Sequence, residues 1–151
     1  MGAQAPKDAG RTRFTYSTWA FPQEGYPELI AGYFEFCRDY YKRQRYRANL
    51  LHIGHRLHRD PSSLLSPSFA APVITLDPSS TGDEGWEDFV IEFNEFCSQR
   101  RGTPLLNQTR SLTRDQACQA FGERWKVFNG FRKRLDPDDR MLNVYFAQLL
   151  G

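Results

Sequence analysis

Residues 26–37 read YPELIAGYFEFC, and residues 86–97 read WEDFVIEFNEFC. Tyr26, Leu29, Ile30, Tyr33, Glu35, Phe36 and Cys37 return as Trp86, Phe89, Val90, Phe93, Glu95, Phe96 and Cys97, always 60 positions later. Steps of three and four residues place the apolar members of each copy on one helical face. The first helix continues through Tyr40 and Tyr41 for about five turns. Its end is basic (Arg38, Lys42, Arg43, Arg45), which suits the negative end of a helix dipole.

Strand patterns flank both copies. Before the first, Arg13 to Phe21 alternates, with Phe14, Tyr16, Thr18 and Ala20 on one face and Arg13, Thr15, Ser17, Trp19 and Phe21 on the other. Pro22 and Gly25 close it. Ala48 to Leu57 is the second strand, followed by a Pro/Ser loop from Asp60 to Pro67. Pro72 to Asp77 is the third, stopped by Asp77-Pro78, and Pro104 to Asn107 is the fourth, at a sheet edge. Strand–helix–strand, twice, predicts an α+β fold: an antiparallel sheet with a ferredoxin-like βαββαβ repeat. Additional C-terminal helices follow. Thr113 and Gln116 have capping-box spacing for a helix reaching Leu135, with breaks expected at Gly122 and Gly130. A last short helix holds Leu142, Tyr145, Phe146 and Leu149.

Length and composition agree with one folded unit. The chain has 151 residues, 40% hydrophobic and 25% charged, and aromatics reach 15%. So many large apolar groups exclude a disordered chain. The net charge of +2 implies no strong field for nucleic acid or membrane. No run approaches the length of a membrane span, and MGAQAPKDAG lacks the apolar centre of a secretory signal. Residues 1–11 read as a disordered leader. Cys37, Cys97 and Cys118 form no CxxC pair, so a cytoplasmic protein with reduced thiols is expected.

His52, His55 and His58 crowd one segment. On a strand His52 and His58 share a face and His55 points away, so no single metal gathers all three. The functional alternative is a sheet face that meets a polar substrate, with His55 and Arg56 as donors to oxygen. The run RDYYKRQRYR (38–47) interleaves cations and tyrosines like a nucleic-acid stripe. A solvated helix end with its tyrosines turned inward explains it better. An RNA-binding sheet also needs stacking aromatics on its central strands, and ANLLHIG (48–54) has none. Ser66 and Ser68 lie near the histidines without a nucleophile elbow, Asp138 and Asp139 read as helix-start residues, and no glycine-rich phosphate loop occurs.

The C-terminal segment FRKRLDPDDRMLNVYFAQLL (131–150) carries Arg132, Asp136, Pro137, Met141, Leu142 and Asn143. In that spacing it resembles the closing segment of FAD-linked aldonolactone oxidases of the vanillyl-alcohol-oxidase superfamily, such as D-arabinono-1,4-lactone and L-gulonolactone oxidases. LHIGHRL…LSPSF (51–69) similarly resembles a strand–loop–strand of that family's substrate (cap) domain. The resemblance covers the chain from residue 12 onward. It implies a broad antiparallel sheet with helices, and a flavin that takes a hydride from a carbinol carbon while the protein positions that carbon.

Placed on the family pattern, a Glu-x-Arg pair falls on Gly54 and Arg56, and a lysine near the last strand is replaced by Gln108. These departures widen the substrate to another lactone, sugar, polyol or alcohol. The resemblance thus implies His55 and Arg56 as catalytic residues, and His52, Asn107, Gln108 and Asn143 as substrate-binding ones. The expected function is the substrate-binding part of an FAD-dependent oxidoreductase, inactive alone. Its FAD-binding domain lies outside this chain, as a partner domain or subunit, because 151 residues hold only the substrate half. The rival is a small ferredoxin-like binding module that pairs through an exposed apolar sheet face.

Overall fold

A computed structural model describes residues 14–150. The expected leader and Arg13 lie outside the described residues. The fold is mixed helix and sheet. In chain order the elements are β1 (Thr15–Tyr16), β2 (Trp19–Pro22), α1 (Tyr26–Gln44), β3 (Arg56–Leu57), β4 (Val73–Leu76) and β5 (Ser79–Ser80). Then come α2 (Trp86–Gln99), β6 (Thr103–Pro104), α3 (Arg114–Phe121), α4 (Glu123–Leu135) and α5 (Val144–Leu150). The main sheet has the order β3-β4-β2-β6, with every neighbour antiparallel, and β1 pairs separately with β5.

The strand expected over 13–21 is two strands. The facing segment explains the gap: Ser17 N–H donates to the carbonyl of Pro78 at 3.3 Å, but Pro78 has no N–H to return. The second expected strand is shortened by a different cause: His55 N–H donates to Thr75 Oγ1 at 2.9 Å in place of the Thr75 carbonyl, which accepts from the Tyr26 hydroxyl. Over 48–57 only Arg56–Leu57 is regular, with an isolated bridge from Ile53 to Asp77. The fourth strand covers Thr103–Pro104, because the chain then curls: Gln108 and Thr109 N–H both donate to the Leu105 carbonyl, at 2.7 and 2.8 Å.

Both long helices begin directly after a left-handed glycine, Gly25 at φ 76 and Gly85 at φ 93. Their apolar faces meet in one aromatic cluster, with Phe36 against Phe96 and Phe89 at 5.0 and 5.7 Å, and Tyr40 against Phe89 at 5.2 Å. Trp19, Phe21 and Leu76 of the sheet join it. The two copies differ in depth. Position 34 carries a phenylalanine 56% exposed, while its counterpart Asn94 is 1% exposed, because α3 packs on α2. In the basic run, Tyr40 and Tyr46 are buried, and Tyr41 stays outside under the guanidinium groups of Arg45 and Arg47.

The Thr113–Gln116 capping box forms in both directions, at 3.2 and 3.1 Å. Gly122 breaks the following helix into α3 and α4. Gly130, expected as a second break, sits inside regular helix with open space around it and interrupts nothing. The final helix starts later than expected, at Val144, because Asn143 caps it: its Oδ1 accepts from Phe146 N–H at 2.9 Å. The sheet face away from α1 and α2 is not open either, since Ala20, Thr75 and Val73 on it are all buried. No described helix is long and apolar enough to cross a membrane.

Candidate functional site

Strand order decides which candidate residues meet. β3 and β6 are the two outer strands of the sheet, and a hollow of about 750 Å³ reaches from one to the other. Arg56, from β3, and Asn107, just past β6, both line it. Its walls are apolar, including Leu57, Leu106, Phe128 and Phe146, and its polar groups include Arg56, His58, Asp60 and Asn107. A second hollow of about 420 Å³ shares Leu106, Asn107 and Phe146 with the first and adds Gln108 and Asn143. Four residues drawn from three separate segments thus surround two adjoining hollows.

The loop that closes the first hollow is braced from α4. The Arg124 guanidinium donates to the carbonyls of Leu64 and Ser66 at 2.8 and 3.0 Å and lies over the Phe69 ring. Ser66 and Ser68 are buried in that wall, with hydroxyls 3.3 Å apart. Asp60 accepts from Ser62 N–H and Oγ–H, which hold its carboxyl below the usual range. An apolar body with a few charged and amide groups suits a small neutral molecule bearing hydroxyls.

His52 and His55 leave the hollows in opposite directions. His52 lies on the α1 side, its Nδ1 3.3 Å from the Tyr33 hydroxyl, and burial pushes its pKa down. His55 lies beside Asp77, with Nε2 3.8 Å from Oδ2. His58 is exposed at the hollow. The alternation expected for the first two histidines therefore holds, and among the described residues no metal-binding cluster forms. Asn143 commits one lone pair of its Oδ1 to the α5 cap, so a ligand meets its amide nitrogen and the remaining lone pair.

Asp77 was legible in the sequence only as a strand stop. It is 6% exposed, its Oδ2 accepts from Thr75 Oγ1 at 2.9 Å, and its Oδ1 has no hydrogen-bond partner. Burial raises its pKa, against the pull of the Thr75 and Thr18 hydroxyls and of His55. The folded protein therefore holds this proton to higher pH than the unfolded chain does. Between the two pKa values the native state binds more protons, and stability falls as pH rises. Asp77→Asn has no such titration. Its stability relative to the parent is expected to grow as pH climbs through the carboxylate range and then to level. Urea midpoints of both proteins at a series of pH values check this, and a flat difference refutes it.

The C-terminal motif is a self-braced turn. Arg132 pairs with Asp139 and also donates to Asn129 Oδ1, while the Asp136 carboxylate accepts from Arg140 and Met141 N–H at 2.8 Å each. No family model matches the chain, and no curated protein matches it significantly.

Proposed function

We propose that this chain is the substrate-binding (cap) part of an FAD-dependent oxidoreductase acting on CH–OH groups of sugars, lactones or related alcohols, of the aldonolactone-oxidase type. The observation that carries it is the convergence of Arg56, Asn107, Gln108 and Asn143 on adjoining hollows, since the resemblance named those residues independently of strand order. A ferredoxin-like reading of the repeat is supported by the outer and inner strand positions, β3-β4-β2-β6 around two similar helices. Arg56 donates to a substrate oxygen, the amides of Asn107 and Gln108 fix the hydroxyls, and Leu106 with Phe146 meets the carbon face.

FAD itself does not fit the described residues. A helix N-terminus free of negative charge is a common seat for a pyrophosphate. Each of α1 to α4 carries a carboxylate in its first turn: Glu28, Glu87 with Asp88, Asp115 and Glu123. In this reading the cofactor is held by a partner domain or subunit. On α4, Val127, Phe131 and Leu135 recur every four residues and stay exposed, with Met141 beyond them in the C-terminal motif. That stripe is where the FAD-bearing partner docks in this reading.

The test is a titration of the ¹⁵N-labelled chain with D-arabinono-1,4-lactone. The side-chain amides of Asn107 and Gln108 are expected to shift, and Arg56→Ala is expected to weaken binding about tenfold while the chain stays folded. Amides that do not move at the solubility limit of the lactone overturn the assignment.

A further inference from the structure

We propose that the ligand is elongated and polar at both ends: a hydroxyl at the Asn107 and Gln108 amides, a carboxylate at Arg56, and an alkyl chain between them. The hydroxyl end rests on the proposed function; the length and the charged end do not. Strand order sets the length. Arg56 stands on β3 and Asn107 just past β6, the two outer strands, and one hollow of about 750 Å³ touches both. Three strand spacings separate those edges, about 14 Å. An extended alkyl chain advances roughly 1.3 Å per carbon at bond lengths of about 1.5 Å. A ligand of about ten carbons therefore meets both ends at once.

The walls decide the chemistry along the way. Leu57, Leu65, Leu106, Phe128 and Phe146 line the hollow, and all are buried or half-buried. The polar groups of the intervening loop answer one another. Ser66 Oγ accepts from Ser68 N–H and lies 3.3 Å from the Ser68 hydroxyl, and Asp60 Oδ1 accepts two donors from Ser62. The middle of the hollow is thus apolar, and its free polar groups stand at the ends. At one end, among the described residues, the Asn107 and Gln108 side chains have no hydrogen-bond partner. At the other, Arg56 is exposed and pairs with no carboxylate among the described residues. The Arg124 guanidinium behind the loop adds a second positive charge, against the single negative charge of Asp60. A carboxylate is the group this end favours.

Titration of the ¹⁵N-labelled full chain with 4-hydroxybutyrate, 10-hydroxydecanoate and the methyl ester of the latter reads both features. The ten-carbon acid is expected to bind about fiftyfold more tightly than the four-carbon acid, about twofold for each added methylene in a hollow open to solvent. It is also expected to bind about tenfold more tightly than its ester, and Arg56→Gln to abolish that difference by weakening the acid alone. Equal affinity of the two acids, or of acid and ester, overturns the proposal. So does a preference for the acid that survives in a folded Arg56→Gln protein, or a response confined to Val127, Phe131 and Leu135 on α4. D-arabinono-1,4-lactone separates this proposal from the assigned function. If the lactone moves the Asn107 and Gln108 amides and chain length adds nothing, the proposal fails and the function stands. If the ten-carbon acid binds as expected and the lactone moves neither amide, the elongated ligand stands and the aldonolactone assignment fails.

Discussion

Trp19→Ala is expected to destabilise the protein by about 4 kcal/mol, in the range for removing a large buried aromatic. Trp19 is completely buried in β2, opposite Leu76 on one neighbouring strand and Pro104 on the other. Its indole N–H donates to Asn94 Oδ1 of α2 at 2.9 Å, and Asn94 in turn donates to the Arg110 carbonyl at 2.7 Å. The substitution opens a cavity at the sheet centre and leaves a buried amide oxygen without its donor. Trp19→Phe separates the two effects. It keeps one six-membered ring, so most of the cavity is avoided while the hydrogen bond and three ring atoms are lost, and about 2 kcal/mol is expected. Urea unfolding with an unchanged m-value measures both. A Trp19→Phe protein as stable as the parent would show that the Asn94 link contributes nothing.

Gly85→Ala is expected to cost about 3 kcal/mol. Two independent effects add there. The residue sits at φ 93, where a side chain costs about 1–2 kcal/mol. A Cβ would also lie 2.8 Å from Cδ2 of the Tyr46 ring. That ring cannot easily retreat, because its hydroxyl donates to Asp83 Oδ1 at 2.9 Å and lies 3.2 Å from Ser80 Oγ. Relieving the clash adds about 1–3 kcal/mol, the usual cost of overpacking. Gly25 is the matched control 60 positions earlier. It is also left-handed, at φ 76, but the nearest atom to its would-be Cβ is a flexible Glu28 oxygen at 4.0 Å. Gly25→Ala is therefore expected to cost only the backbone part. Thermal or urea midpoints of the pair decide it: equal losses would mean that the Tyr46 contact is irrelevant.

The site shows where sequence periodicity stops being informative. Alternation correctly sends His52 and His55 to opposite sides, because side-chain direction in an extended segment is a local property. It cannot show that His55 lies against Asp77, since that needs the register of one segment on another. The Asp77 signal was present as a polar residue two positions after Thr75 on the same face, but its meaning depends on which strand pairs alongside. Arg56 and Asn107 are similar. Each was singled out within its own segment, and only the placing of β3 and β6 at the two edges lets one hollow touch both. Asn143 was expected at the ligand, and its side chain is half committed to capping α5.

By itself, the sequence determined the two helices, their shared apolar face, the capping box at Thr113 and the alternation of strand and helix. These follow from interactions between residues three, four or two positions apart, which the chain carries wherever it lies. Tertiary structure decided the rest. It cut the first expected strand where Pro78 has no N–H to give, and it kept α4 whole through Gly130. It buried the second copy of the repeat more deeply than the first by packing α3 against it. It also placed a buried carboxylate beside an exposed histidine. Those outcomes depend on which distant segment supplies the missing donor, volume or charge, and only the folded chain brings that segment into contact.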